Sequence, residues 1–284
     1  MLHSIGLSSA DDLFSSIPED LRLRQPLNTP AALAETELLT LFERMGEKNA
    51  GARRISFLGG GAYAHYIPTI VDHILSRSEF FTAYTPYQPE ISQGTLQTIF
   101  EFQTLVCQLT GMEVANASMY DGSTALAEAV LMAERVTKRS KVIAAASIHP
   151  QYLEVVRTYV QHAGIDLDVV AHDQATGQAS ALTSAVDDQT AALVVQSPNF
   201  FGCVEDLKTL ADAAHAKGAL LIVAITEAMS LGLLKSPGAC GADIVVAEGQ
   251  SFGVPLSFGG PCWLVRHSRK VCTTDSRQIS RRGF

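Results

Sequence analysis

The sequence predicts an α/β fold built on a mostly parallel sheet buried on both faces. Three observations carry this. From residue 110 onward, short apolar runs alternate with segments of helical periodicity. The runs are continuous, not alternating polar and apolar, as strands covered on both faces require. And 47% of the 284 residues are hydrophobic, enough for a substantial core in one large or two small domains.

In chain order, residues 1 to about 55 read as helical, with Pro18 and Pro30 punctuating short segments. A helix is expected over 31–48, with Leu33, Leu38, Leu41 and Phe42 as its apolar contacts. Another starts at Ser92, with Leu96, Ile99, Phe100, Leu105 and Val106 on one face. Then come a helix over 121–139 capped by Asp121 or Ser123, a strand over 141–147, a helix over 151–163 and a strand over 166–170. A strand over 191–196, a helix over 205–217 and strands over 219–224 and 243–247 complete the alternation. There is no internal repeat and no low-complexity tract.

Composition narrows the function. A net charge of −8 argues against a nucleic-acid binder, which shows a basic face. Cys107, Cys203, Cys240, Cys262 and Cys272 are odd in number and widely spaced, without a CxxC pair. Neither a disulfide framework nor a zinc site is indicated, and a reducing cytoplasm is the expected setting. His3, His65, His73, His162, His172, His215 and His267 show no ligand spacing, so no metal is expected. The start of the chain has acidic residues early and no apolar targeting core. The longest apolar run, at 218–225, is far short of the roughly 20 residues a membrane span needs.

Chemistry-bearing residues gather in residues 84–94. Tyr84, Tyr87, Gln88, Glu90 and Gln93 sit there with Pro86 and Pro89, each of which biases its predecessor toward an extended shape. A stiff polar loop feeding a helix suits a binding site, and equally a plain surface loop. Three further motifs stand out. Phe57-Leu-Gly-Gly-Gly-Ala-Tyr-Ala-His-Tyr66 precedes the loop, Met119-Tyr-Asp-Gly-Ser-Thr124 follows it, and Ala247-Glu-Gly-Gln-Ser-Phe252 leads into Ser257-Phe-Gly-Gly-Pro261. In this order, across residues 1–261, they resemble the P-protein of the glycine cleavage system, the pyridoxal-phosphate (PLP) glycine decarboxylase. More narrowly, they resemble the alpha subunit of its split, two-chain form.

The resemblance implies the aspartate-aminotransferase-like fold of PLP-dependent transferases (fold type I), with a seven-stranded type of sheet between helices and a helical N-terminal segment. Such a site needs a Schiff-base lysine, an acid at the pyridine nitrogen, a group stacked on the ring and a phosphate cup at a helix start. Gln250 stands where the lysine belongs, and no lysine occurs between Lys235 and Lys270. A carboxamide forms no Schiff base. Ala224 aligns with the acid, and Glu227 follows three residues later. Asp121, Gly122 and Ser123 match the cup, although Asp121 would repel a phosphate and is equally an ordinary helix cap. His149 falls at the position of the stacking histidine, or is a structural residue. The Gly59-Gly-Gly61 turn would bring Tyr63, His65 and Tyr66 toward a neighbouring subunit, or into the core.

Asp121, Gly122, Ser123, His149 and Gln250 are therefore expected to be vestigial cofactor positions, with no catalytic residue in this chain alone and PLP held by a beta subunit. The implied partners are that subunit, glycine and the lipoyl arm of H-protein, with the 84–94 loop lining a shared active-site mouth. A purely structural partner of the beta subunit and an independent PLP-fold lyase or transferase are the alternatives. The expected organisation is a helical segment with the loop over 1–110, the α/β large domain over 111–261 and a divergent tail over 262–284. That tail carries six Lys or Arg against one Asp and is expected to be unstructured. It departs from the family pattern, and the small C-terminal domain is expected to be missing.

Overall fold

The computed structural model describes residues 1–23, 25–49, 51, 54, 55, 57, 59–61, 63–256 and 265–267. By internal contacts the chain forms two units, Met1–Phe57 and Leu58–Phe284.

The first unit holds three short 3-10 turns, Leu2–Ile5, Asp11–Phe14 and Glu19–Leu21, followed by α1 (Glu35–Glu47). The amide of Ala34 donates to Glu37 Oε2 at 2.9 Å, which ties down the start of α1. The apolar contacts expected of this helix are not made. Leu38, Leu41 and Phe42 are 44%, 39% and 63% exposed, and no described residue of this unit is buried. Periodicity correctly gave the helix, but periodicity says nothing of what covers its face.

The second unit is built on a sheet of seven strands. They are β1 (Val114–Ala115), β2 (Lys141–Ala145), β3 (Asp166–Val170), β4 (Thr190–Gln196), β5 (Leu220–Ile225), β6 (Ile244–Ala247) and β7 (Val265–His267), in the order β1-β7-β6-β5-β4-β2-β3. The five strands from β2 to β6 pair in parallel; β7 runs antiparallel to β6 and β1 antiparallel to β7. Thus Val265–His267, expected in an unstructured tail, form a strand, because β6 offers them an open edge. Ile143, Leu193 and Leu221 face one another across three strands, and all are fully buried. Every residue of β4 is buried whichever way its side chain points, so both faces of the sheet are covered.

The helices are α2 (Thr69–Leu75), α3 (Ser78–Phe81), α4 (Gln93–Thr110), α5 (Gly122–Thr137), α6 (Pro150–Val160), α7 (Leu182–Ala185) and α8 (Leu207–Ala216). α5 lies across β4, β5, β6 and β7, and it buries Leu126 and Val130 completely. α6 packs on α5, and α8 covers β4 and β5. α4 is bound less closely. Only Val106 and Thr110 are buried in it, whereas Phe100 and Leu105, expected on its apolar face, are 66% and 58% exposed. No described helix is long and apolar enough to cross a membrane.

Candidate functional site

In a parallel sheet, ligand sites form beyond the carboxyl ends of the strands. Here that edge gathers His149 after β2, Gln196 at the end of β4, Thr226 and Glu227 after β5, Glu248 and Gln250 after β6, and the N-terminus of α5.

His149 caps α6. Its Nδ1 accepts from the amide of Gln151 at 3.2 Å, which leaves Nε2 to carry the proton and donate to the carbonyl of Gly60 at 3.0 Å. Tyr152 and Phe200 pack on the ring with centroids at 5.3 and 5.1 Å. Its backbone amide donates to Gln196 Oε1 at 2.8 Å, and Gln196 Nε2 donates to Thr226 Oγ1 at 3.2 Å. The glycine turn closes over this row. A Cβ on Gly61 would lie 3.6 Å from Thr226 Cβ and 3.7 Å from His149 Cδ2, and the backbone there has φ of 93°. His65, expected to face a neighbouring subunit or the core, turns to Glu227, Nε2 to Oε2 at 2.8 Å. Tyr66 is 84% exposed.

Asp121 is the helix cap. Its Oδ1 accepts from the Thr124 amide at 2.8 Å and from the Ser123 hydroxyl at 2.5 Å. Burial disfavours its charge, yet the Ser123 and Thr124 donors outweigh that and hold its carboxyl below the usual range. The neighbouring amide of Gly122 donates to Glu248 Oε1 at 2.9 Å. Tyr152 donates its hydroxyl to the same oxygen. Glu248 is only 8% exposed, and its Oε2 has no hydrogen-bond partner among the described residues. Burial pushes its carboxyl upward, and the nearby Asp121 adds to that, against the pull of its two donors. Burial and the adjoining Glu248 likewise raise Tyr152. Glu248 and Tyr152 did not emerge from the sequence: their partners lie 126 and 96 residues away. The single hint was a carboxylate ending the apolar run of β6.

Gln250 makes no hydrogen bond to this cluster among the described residues, and its Nε2 donates to the carbonyl of Val254 at 2.5 Å. The loop side chains lie apart from it. Tyr84 and Tyr87 are 82% and 80% exposed, Gln88, Glu90 and Gln93 are exposed too, and none of the five has a side-chain hydrogen bond among the described residues. No metal-binding cluster of His, Cys, Asp and Glu occurs among the described residues.

These residues do not fit PLP. Position 250 supplies no amine, and Ala224 is buried without a carboxylate. Glu227 is committed to His65, and the α5 amides at Gly122 and Thr124 already have carboxyl partners.

Comparison with known proteins gives the same family as the motifs. The pattern described as "Glycine cleavage system P-protein" matches residues 1–270. The chain is 55% identical over 262 residues to a protein of Desulforamulus reducens named "Probable glycine dehydrogenase (decarboxylating) subunit 1", and 54% identical over 263 residues to one of the same name from Koribacter versatilis. It spans 92% of its own length in both, but only 58% and 59% of theirs. A crystal structure of a glycine decarboxylase (P-protein) of the glycine cleavage system in inhibitor-bound form superposes with a TM-score of 0.86 at 42% identity, covering 96% of this chain and 61% of that one. The expected fold of PLP-dependent transferases, with its mostly parallel seven-stranded sheet, is thus the one observed. One family accounts for nearly the whole sequence and for the fold, and the chain belongs to it: the glycine cleavage system P-protein family.

Proposed function

We propose that this chain is the alpha half of a two-chain glycine decarboxylase and carries no PLP of its own. The observation that supports this is Gln250: the resemblance aligns it with the lysine position, it carries no amine, and its amide donates to the Val254 carbonyl. The coenzyme then belongs to a beta subunit. The reaction of the pair is loss of carbon dioxide from glycine and transfer of the remaining aminomethyl group to the lipoyl arm of H-protein. Free thiols at Cys107, Cys203 and Cys240 suit a cytoplasmic setting.

Within the pair, the 84–94 loop lines the shared active-site mouth. Tyr84, Tyr87, Gln88, Glu90 and Gln93 are exposed polar groups on a proline-stiffened segment, and the amide of Tyr87 donates to the Thr85 carbonyl at 2.9 Å. Their work is to bind and orient glycine or the lipoyl arm, where preorganisation lowers the cost of alignment.

Co-purification of the chain with the beta subunit, followed by glycine turnover with H-protein, tests the pairing. The complex is expected to turn over and the isolated chain to be silent. Glu90→Gln combined with Tyr87→Phe is expected to lower turnover with assembly intact, and unchanged turnover would remove the loop from the mouth. Full turnover by the beta subunit alone would reduce this chain to a structural partner.

A further inference from the structure

We propose that the N-terminus of α5 is a phosphate-class anion site that this chain fills from within, with the Glu248 carboxyl as its internal ligand. A helix of 16 residues presents four unpaired amides and the positive end of its dipole at the start, and phosphate esters are the usual external occupants of such a site. In this chain those amides are taken. Gly122 donates to Glu248 Oε1 at 2.9 Å, Thr124 to Asp121 Oδ1 at 2.8 Å and the Asp121 amide to Thr124 Oγ1 at 3.3 Å. The Asp121 carboxylate also draws on the amide of Ser123.

Two observations separate Glu248 from an ordinary cap. It comes from the far end of the fold, the end of β6, and is more than nine-tenths buried with Oε2 unpartnered among the described residues. A carboxyl oxygen held in that state is costly unless the helix start compensates it. The approach is also closely fitted. A Cβ on Gly122 would fall 2.4 Å from both Glu248 Oε1 and the Tyr152 hydroxyl oxygen, so only glycine admits the carboxyl there. Nearby, a Cβ on Gly61 would come only into ordinary van der Waals contact with Thr226 and His149. The loss of coenzyme binding is therefore not confined to the missing lysine. Restoring an amine at position 250 alone leaves the phosphate end of the site shut.

The test uses the full chain and inorganic phosphate, with chloride at matched ionic strength as the control. Thermal unfolding of the wild type is expected to show the same midpoint in both. Glu248→Ala is expected to gain a saturable, phosphate-specific rise in midpoint. Tyr152→Phe, which leaves the carboxyl in place, is expected to stay unresponsive. If Glu248→Ala fails to fold, Glu248→Ser is held to the same criterion. A phosphate-specific rise in the wild type overturns the assignment by itself, and so does a folded Glu248 variant without one. Phosphate titration of the chain alone and turnover with a partner are separate readouts, and either can fail without the other.

Discussion

Residues 63–110 and residues 111–256 treat their apolar side chains in opposite ways. In the later stretch, the large aliphatics of β2, β4, β5 and β6 are at or near zero exposure, apart from the half-buried Leu220 at the start of β5. In the earlier one, Val106 is the only buried large apolar residue among those described, while Ile70, Phe81, Ile91, Phe100 and Leu105 are all more than half exposed. The first arrangement is a self-sufficient core. The second leaves its apolar side chains uncovered among the described residues, and exposed apolar area of this density suits a contact face. The proposed pairing with a second subunit needs such a face, and these residues include and flank the 84–94 loop in sequence.

The comparison breaks or sharpens at specific positions. Leu193, fully buried in β4, is expected to lose about 2–5 kcal/mol of stability as Leu193→Ala in urea denaturation. A loss near zero would mean that the sheet is not the core of the second unit. Glu205 is next. It accepts from the Ala179 amide at 2.9 Å and from Asn199 Nδ2 at 2.7 Å, and so holds the loop that places Phe200 on His149. Glu205→Ala leaves the buried Ala179 amide without its carboxylate, while Asn199 Nδ2 keeps the Gly177 carbonyl at 2.8 Å, so a loss of roughly 1–3 kcal/mol is expected in the same urea assay.

Glu248 gives a pH signature. Its carboxyl is raised in the fold, so its contribution is fully present below the ordinary glutamate value of about 4.3 and is lost as pH rises through the raised native value. The groups facing it are Tyr152 and Asp121. Glu248→Gln is expected to flatten the fall in stability across that window, measured as the unfolding midpoint against pH. An unaltered slope would show that the carboxyl ionises in the fold as freely as in the unfolded chain. The smallest effect is expected at Leu105→Gln, within about 0.5 kcal/mol for the isolated chain. Its consequence should appear instead as weaker co-purification with the beta subunit. A loss as large as that of Leu193→Ala would erase the distinction between the two stretches.

Much of the sheet was legible because a strand buried on both faces writes itself as a continuous apolar run. The strand expected over 166–170 is β3, those expected over 191–196 and 243–247 differ from β4 and β6 by a residue at one end, and that expected over 219–224 is displaced by one residue from β5. β1 and β7 were not seen: two or three residues hold no period, and each strand exists through pairing with a distant partner. Helix positions were read well, but helix burial was not, since the stripe on α1 or α4 records a wish for cover and not its source. At the site, Gln250 was visible as a missing amine, and Asp121 as a cap. The carboxyl of Glu248 on Gly122 was invisible, because nothing local ties position 248 to position 122.

The most direct measurement is release of labelled carbon dioxide from carboxyl-labelled glycine by the purified chain supplied with PLP, with and without the beta subunit. Release is predicted only when the second subunit is present. Release by this chain alone would mean that it holds a working coenzyme site after all, and would contradict both the borrowed active centre and the closed helix start.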